Sequence, residues 1–213
     1  MRISSAGSTN AISRTTSLRF EQFDEVVGRV LEKLDELGLA ENTIVIYSSD
    51  QGFYLGEHGW YDKRWMFEES LAMPFVIRWP GVVAPGSRPD AMIQNIDYAS
   101  TFLEAAGVPV PDELHGHSLV PVFNGQVESV RDSIYYAYFE HGGHGVPRHS
   151  GVRTAEHKLI YFPSTDEWNL IDLARDPGEM NSEHANPEYA EIRRDLEAEY
   201  HRLREQFQVP SKP

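Results

Sequence analysis

The sequence predicts an α/β fold over residues 18–130 and a small antiparallel α+β subdomain over residues 131–213, on three observations. Helical and extended patterns alternate between residues 18 and 130, the signature of an α/β sheet. The extended runs there, "NTIVIYSS" and "MPFVIRWPG", are almost continuously apolar, as strands of a parallel sheet covered on both faces are. After about residue 130, short runs rich in Ile, Tyr, Phe and Val are separated by polar or Gly/Pro breaks, which reads as consecutive antiparallel strands.

The elements follow in order. Residues 1–17, "MRISSAGSTNAISRTTS", are polar and Ser/Thr-rich, and are expected as a disordered lead-in, with a transit peptide as the alternative; no apolar stretch marks a secretory signal. Ser17 is placed to cap a helix with apolar positions Phe20, Phe23, Val27, Val30, Leu34 and Leu37, steps of three and four that form one buried face. Gly38 stands where a C-terminal cap is expected. The strand "NTIVIYSS" comes next, then a polar loop, then "MPFVIRWPG", which Pro80-Gly81 ends. "IDYASTFLEAAGVPVP" forms a short helix stopped by Gly107 and Pro109. In the second region "RDSIYYAYFE", "HSGVRTA", "HKLIYFP" and "EWNLIDL" are the four strands. Asn186-Pro187 then opens a terminal helix with Tyr189, Ile192, Leu196, Leu203 and Phe207 along one side.

Composition narrows the function. The 213 residues carry 33 acidic against 19 basic side chains, a net charge of −14. Such a field disfavours nucleic acid and anionic membrane surfaces, so an anionic substrate needs a local positive pocket. No apolar run approaches the roughly 20 residues that cross a bilayer. There is no cysteine, which leaves no disulfide and no thiolate metal site in this sequence and no reading of redox compartment.

The stretch "SSDQGFYLGEHGWYDKRWMFEES" concentrates the chemistry. Asp50 and Gln51 follow directly on a strand, at the edge where open α/β sheets bind ligands. A carboxylate beside an amide oxygen is hard-oxygen coordination suited to Ca²⁺ or Mg²⁺. Gly52, Gly56 and Gly59 allow the loop to fold back, and His58 and Lys63 return two cationic donors to the same place. Taken singly, each residue has an ordinary alternative: Asp50 as a turn or cap, His58 as a packing histidine, Lys63 as a solvated surface charge.

Their joint order, from the strand through Asp-Gln-Gly, Gly-x-His-Gly, Lys and Glu-Glu-Ser to "PFVIRWPG", resembles the second signature region of the sulfatase family, within the alkaline phosphatase-like superfamily. "DEVVGRVLEKLDELGLAENTIVIYSSD", "NIDYASTFLEAAGVPVPDELHGHSLVPVFNG", "HSGVRTAEHKLIYF" and "EWNLIDLARDPGEMNS" extend the likeness over nearly everything after residue 20. The resemblance implies a partial alkaline phosphatase-like sheet with helices, followed by the family's C-terminal antiparallel subdomain. It also implies a sulfuric ester hydrolase acting on a sulfated small molecule or carbohydrate. By the same resemblance Asp50 and Gln51 are Ca²⁺ ligands, Lys63 contacts the sulfate, and His58 lies near the sulfate or the leaving oxygen. His149, in the C-terminal subdomain, is placed to reach a sugar, with a turn or packing role as the alternative.

Departures from the family matter as much. Its nucleophile is a formylglycine made from the first residue of Cys/Ser-x-Pro-x-Arg, and neither a cysteine nor Ser-x-Pro-x-Arg occurs here. The family's Asp-Asp metal pair is also missing, so two ligands stand where Ca²⁺ takes six to eight oxygens. The sequence is therefore expected to be the C-terminal portion of a sulfatase, inactive alone and prone to self-association through an exposed sheet edge. The alternatives are a phosphoesterase of the same superfamily, which usually binds zinc through His-rich sets, and a non-catalytic binding or assembly fragment. Four histidines, 141, 144, 149 and 157, are too irregularly spaced for a zinc site and read as loop. "LHGHS" and Trp168 read as structural, and Glu69 as a support for Lys63 or the backbone, with a helix-terminal charge role as the alternative.

Overall fold

The computed structural model describes the backbone of residues 6–140 and 142–210 and the side chains of residues 21–140 and 142–210. Of the four histidines above, His141 lies outside the described residues. The chain divides into two compact units, residues 1–63 with 69–128 and residues 64–68 with 129–213.

The first unit opens with α1, Ala6–Glu36. Of the expected lead-in, residues 1–5 lie outside the described residues, and from Ala6 the backbone is already helical. α1 ends in a Schellman motif: Gly38 takes φ 66°, its N–H donates to the Asp35 carbonyl, and the Leu39 N–H donates to the Leu34 carbonyl. Two strands follow, β1 (Val45–Ser48) and β2 (Phe75–Arg78), with α2 (Glu68–Leu71) between them in sequence. They pair antiparallel, Val45 against Arg78 and Ser48 against Phe75. This corrects the expectation of a parallel pair. Continuous apolarity carries no information about direction, and it does not ensure coverage either, since Val76 on β2 is 62% exposed. Direction follows from the connection, and residues 49–74 contain only short helical turns, not the crossover helix a parallel neighbour needs.

Next come α3 (Asp97–Ala105) and α4 (Val120–Phe123). The buried Asp97 carboxylate accepts the Gln94 and His117 N–H groups, and the Ser100 hydroxyl donates to the Gly116 carbonyl. "LHGHS" is thereby latched to α3.

The second unit is a meander of four antiparallel strands in the order β3 (Ser133–Tyr138), β4 (His149–Thr154), β5 (His157–Phe162) and β6 (Glu167–Asp172). Asn186 accepts the Glu188 N–H and caps a 3-10 turn leading into α5, Ala190–Gln206. Val152, Leu159 and Leu170 from the sheet bury against Tyr189, Leu196, Tyr200 and Leu203. The segment 64–68 packs within this unit: Met66 is buried, and Trp65 stacks on His149 with ring centroids 5.6 Å apart. Gly151 makes room for it, since a Cβ there would lie 2.5 Å from Met66 Sδ.

Candidate functional site

The loop after β1 is shaped by its backbone. The Gly52 N–H donates to the Ser70 carbonyl at 2.9 Å, and the Tyr54 N–H donates to the Asp62 carbonyl at 2.8 Å. Gly52 runs so close to α2 that a Cβ would lie 2.9 Å from the Ala72 carbonyl oxygen and closer still to that of Glu69. Beyond this the loop reverses through a 3-10 turn, Glu57–Gly59, where the preceding Gly56 (φ 141°) and, within the turn, His58 (φ 53°) and Gly59 (φ 67°) all have positive φ. Tyr54 is fully buried and sits edge-on to His58 with centroids 6.0 Å apart, which anchors the turn.

Lys63 Nζ lies 3.8 Å from Asp50 Oδ2, an ion-pair distance that brings the ammonium and the carboxylate to one place. The Asp50 carboxylate is largely exposed. The Gln51 amide nitrogen donates to Ser70 Oγ at 3.1 Å, which turns the amide oxygen away from that hydroxyl and leaves it as an acceptor. An exposed carboxylate and an amide oxygen oriented in this way are hard donors and fit part of a Ca²⁺ shell. Among the described residues no group of three or more His, Asp or Glu side chains is arranged to hold a metal ion, so these two oxygens are a partial set.

His58 Nε2 faces Glu69 Oε2 at 3.4 Å. Glu69 therefore supports His58, where sequence reasoning had it supporting Lys63 or the backbone. Ser70 was missed as a site-organising residue, although it is the last residue of the quoted "EES": its carbonyl holds Gly52 and its hydroxyl holds Gln51.

His149 belongs to the second unit. Its ring is 1% exposed among Trp65, Tyr136, Tyr138 and Phe162, and Nδ1 pairs with the Pro147 carbonyl at 2.8 Å. Burial holds its pKa below the ordinary histidine value, against the Pro147 and Arg64 carbonyls, which favour the charged ring. A ring so enclosed presents no atom to a ligand without repacking, and the structure gives it a packing role. Burial also pushes the neighbouring Tyr136 phenol up to about 12.

The second unit contains a charge cluster that sequence reasoning did not anticipate. Lys158, with no exposed surface, places Nζ 2.5 Å from Glu179 Oε1 and 3.0 Å from Glu68 Oε1. Arg153 holds both oxygens of Glu68 at 3.2 Å, and Glu179 Oε2 accepts the Glu68 N–H at 2.5 Å. Burial raises the Glu179 pKa against the pull of Lys158. At Glu68 burial acts the same way, but Arg153 and Lys158 overcome it and hold the pKa below the usual carboxylate value. A lysine inside a strand pattern, such as Lys158 in "HKLIYF", is the one sequence signal for this cluster.

Residues 56–206 match the family described as N-sulphoglucosamine sulphohydrolase, C-terminal. Over 178 residues the chain is 46% identical to an N-acetylglucosamine-6-O-sulfatase of Bacteroides thetaiotaomicron, covering 81% of this chain and 32% of that protein. It is 31% identical over 173 residues to an arylsulfatase of Clostridium perfringens, covering 79% of this chain and 35% of that protein. A protein solved in complex with its substrate D-glucosamine-2-N,6-O-disulfate superposes with a TM-score of 0.84 and 42% identity, over 88% of this chain and 39% of that one. A phosphonate monoester hydrolase of Agrobacterium radiobacter superposes with a TM-score of 0.75 and 28% identity, over 86% of this chain and 39% of that one. The chain thus spans about a third of the length of the curated relatives it matches.

Proposed function

The chain belongs to the sulfatase family, and on that footing we propose that it supplies calcium- and sulfate-binding residues to a sulfuric ester hydrolase acting on a sulfated carbohydrate. The observation that carries the proposal is the convergence of Lys63 Nζ on Asp50 Oδ2, with the Gln51 amide oriented by Ser70 beside them. The sugar preference is supported by the relatives, one an N-acetylglucosamine-6-O-sulfatase and one bound to a glucosamine disulfate.

Hydrolysis of a sulfate ester builds negative charge on the sulfonyl oxygens and on the departing alkoxide. Fixed cations aimed at those oxygens lower the barrier because they need no reorganisation at the moment of reaction. Lys63 acts as such a point charge on the sulfonyl group. His58, steadied by Glu69, is placed to donate a hydrogen bond to the sulfate or the leaving oxygen. Asp50 and Gln51 would hold Ca²⁺, which supplies Lewis-acid stabilisation of the same developing charge. The chain alone is expected to turn over no sulfate ester, because it has no cysteine and no Ser-x-Pro-x-Arg from which the family's formylglycine is made.

Calorimetric titration of the chain with inorganic sulfate, with and without Ca²⁺, tests this reading. Lys63→Ala should abolish measurable sulfate binding, and Asp50→Asn with Gln51→Ala should remove the calcium dependence. Sulfate affinity unchanged by Lys63→Ala would sink the assignment. The phosphonate monoester hydrolase likeness keeps a phosphoesterase as the second reading. Tighter binding of inorganic phosphate than of sulfate, and a response to Zn²⁺ but not Ca²⁺, would favour it.

A further inference from the structure

Building on the sulfate site just proposed, we infer that the ring pair of exposed Phe53 and half-buried Tyr61 is a stacking platform for the C–H face of the sugar that carries the sulfate. Phe53 is 44% exposed and its neighbour Leu55 39%, on the same loop that brings His58 and Lys63 round. Two exposed large apolar side chains on a loop of charged and amide groups call for a ligand with both kinds of surface. A sulfated sugar has both: an anionic sulfate edge and a weakly polar face of ring C–H groups.

The loop geometry holds the two rings together between the proposed ligand residues in sequence. The Tyr54-to-Asp62 hydrogen bond ties its two arms together, with Tyr54 buried beneath. Above that bond Phe53 and Tyr61 meet edge to face, centroids 5.2 Å apart and planes at 84°. An edge-to-face pair uses the face of one ring only, so an aromatic face remains for a ligand. Phe53 lies two residues after Gln51, and Tyr61 two residues before Lys63. The two rings thus sit on the arms that carry the proposed calcium ligand and the proposed sulfate cation. The sulfate would be held by charge and the ring carbons by aromatic contact, which selects a sulfated pyranose over a bare anion.

The test compares two probes on the full chain in Ca²⁺ buffer: D-glucosamine 6-sulfate and inorganic sulfate. The unmodified chain should bind the sugar sulfate several-fold more tightly than sulfate, and saturation transfer should be strongest on the protons of one sugar face. Phe53→Ala and Tyr61→Ala should each cut that preference by roughly three- to tenfold, leave sulfate affinity within about twofold, and keep the melting temperature. Phe53→Trp should restore the preference. Equal binding of the two probes by the unmodified chain, or no loss of preference in Phe53→Ala, would overturn the platform. An equal loss for both probes would overturn it too, because the ring would then be acting on the sulfate site itself. Failure of the sulfate site shows differently, as sulfate binding that survives Lys63→Ala.

Discussion

Replacing Glu179 by alanine is the sharpest test of what holds the second unit together. Lys158 is wholly buried, with Glu179 at 2.5 Å and Glu68 at 3.0 Å from its ammonium. Glu179→Ala removes the nearer carboxylate and also the acceptor of the Glu68 N–H. Breaking a buried pair on one side costs about 3–5 kcal/mol, since the remaining charge stays buried. Glu68 still faces Lys158, so the low end, about 3 kcal/mol, is expected here. Urea unfolding followed by tryptophan fluorescence reads the loss as a lower midpoint at unchanged slope. The double variant Glu179→Leu with Lys158→Met replaces the pair by apolar groups of similar size. It should recover a large part of the loss, because the desolvation of two charges disappears with them. A single-variant cost below about 1 kcal/mol, or a double variant worse than the sum of its singles, would refute the account of a charge cluster under strong mutual compensation.

Three further outcomes are expected. Gly52→Ala should lower sulfate affinity at least tenfold and destabilise the first unit by about 1–3 kcal/mol, since its Cβ would strike the Glu69 and Ala72 carbonyls; titration and thermal melting measure the two effects. His149 has its folded pKa depressed by burial, so the unfolded chain takes up the proton first. Stability should therefore fall as pH drops below about 6.5, by at most about 1.4 kcal/mol per pH unit from this group. His149→Phe should flatten that slope in melts between about pH 7.5 and 5.5, the range that brackets the unfolded pKa. Phe23, Val30 and Leu37, expected on a buried helix face, are instead exposed and with Val26 leave an apolar stripe on α1, and Val76 is 62% exposed on β2. Sedimentation should show concentration-dependent association that Val30→Glu with Val76→Thr weakens; an unmodified chain that stays monomeric at all concentrations would count against it.

The second sheet was the most legible part of the sequence. Its strands lie in short runs rich in Ile, Tyr, Phe and Val between clear breaks, and all four fall within the runs that pattern picks out. Two capping signals were equally readable, Gly38 taking the left-handed conformation its place demanded and Asn186 bonding the Glu188 N–H, whereas Ser17 is no cap, since the helical backbone already runs from Ala6. Strand direction in the first unit was not readable, because an apolar run carries no polarity along the chain. Motif order placed Asp50, Gln51 and Lys63 in one loop, and their meeting is a loop closure carried by nearby backbone groups. Glu179 was hidden for a different reason. It meets Lys158 across 21 residues and Glu68 across 111, and no local pattern reports a pairing of that range.

The two units store their order in different ways, and that difference bears on the site. In the second, sheet and helix side chains close over one another, and among the described residues the exposed large apolar groups are Phe139 and Met180. In the first, apolar groups on α1, β2 and α3 face outward, and the described residues bury few large side chains beyond Tyr54, Leu119 and Val122. Yet the proposed ligand groups of the first unit are held by contacts of their own: hydrogen bonds from Gly52 and Gln51 to Ser70 and from Tyr54 to Asp62, and the ion-pair approach of His58 to Glu69. Coverage of the apolar stripe and assembly of the loop are therefore separable. Substitutions on the stripe should change association and leave sulfate affinity alone, whereas Ser70→Ala, which touches no exposed apolar group, should weaken sulfate and calcium binding without altering sedimentation.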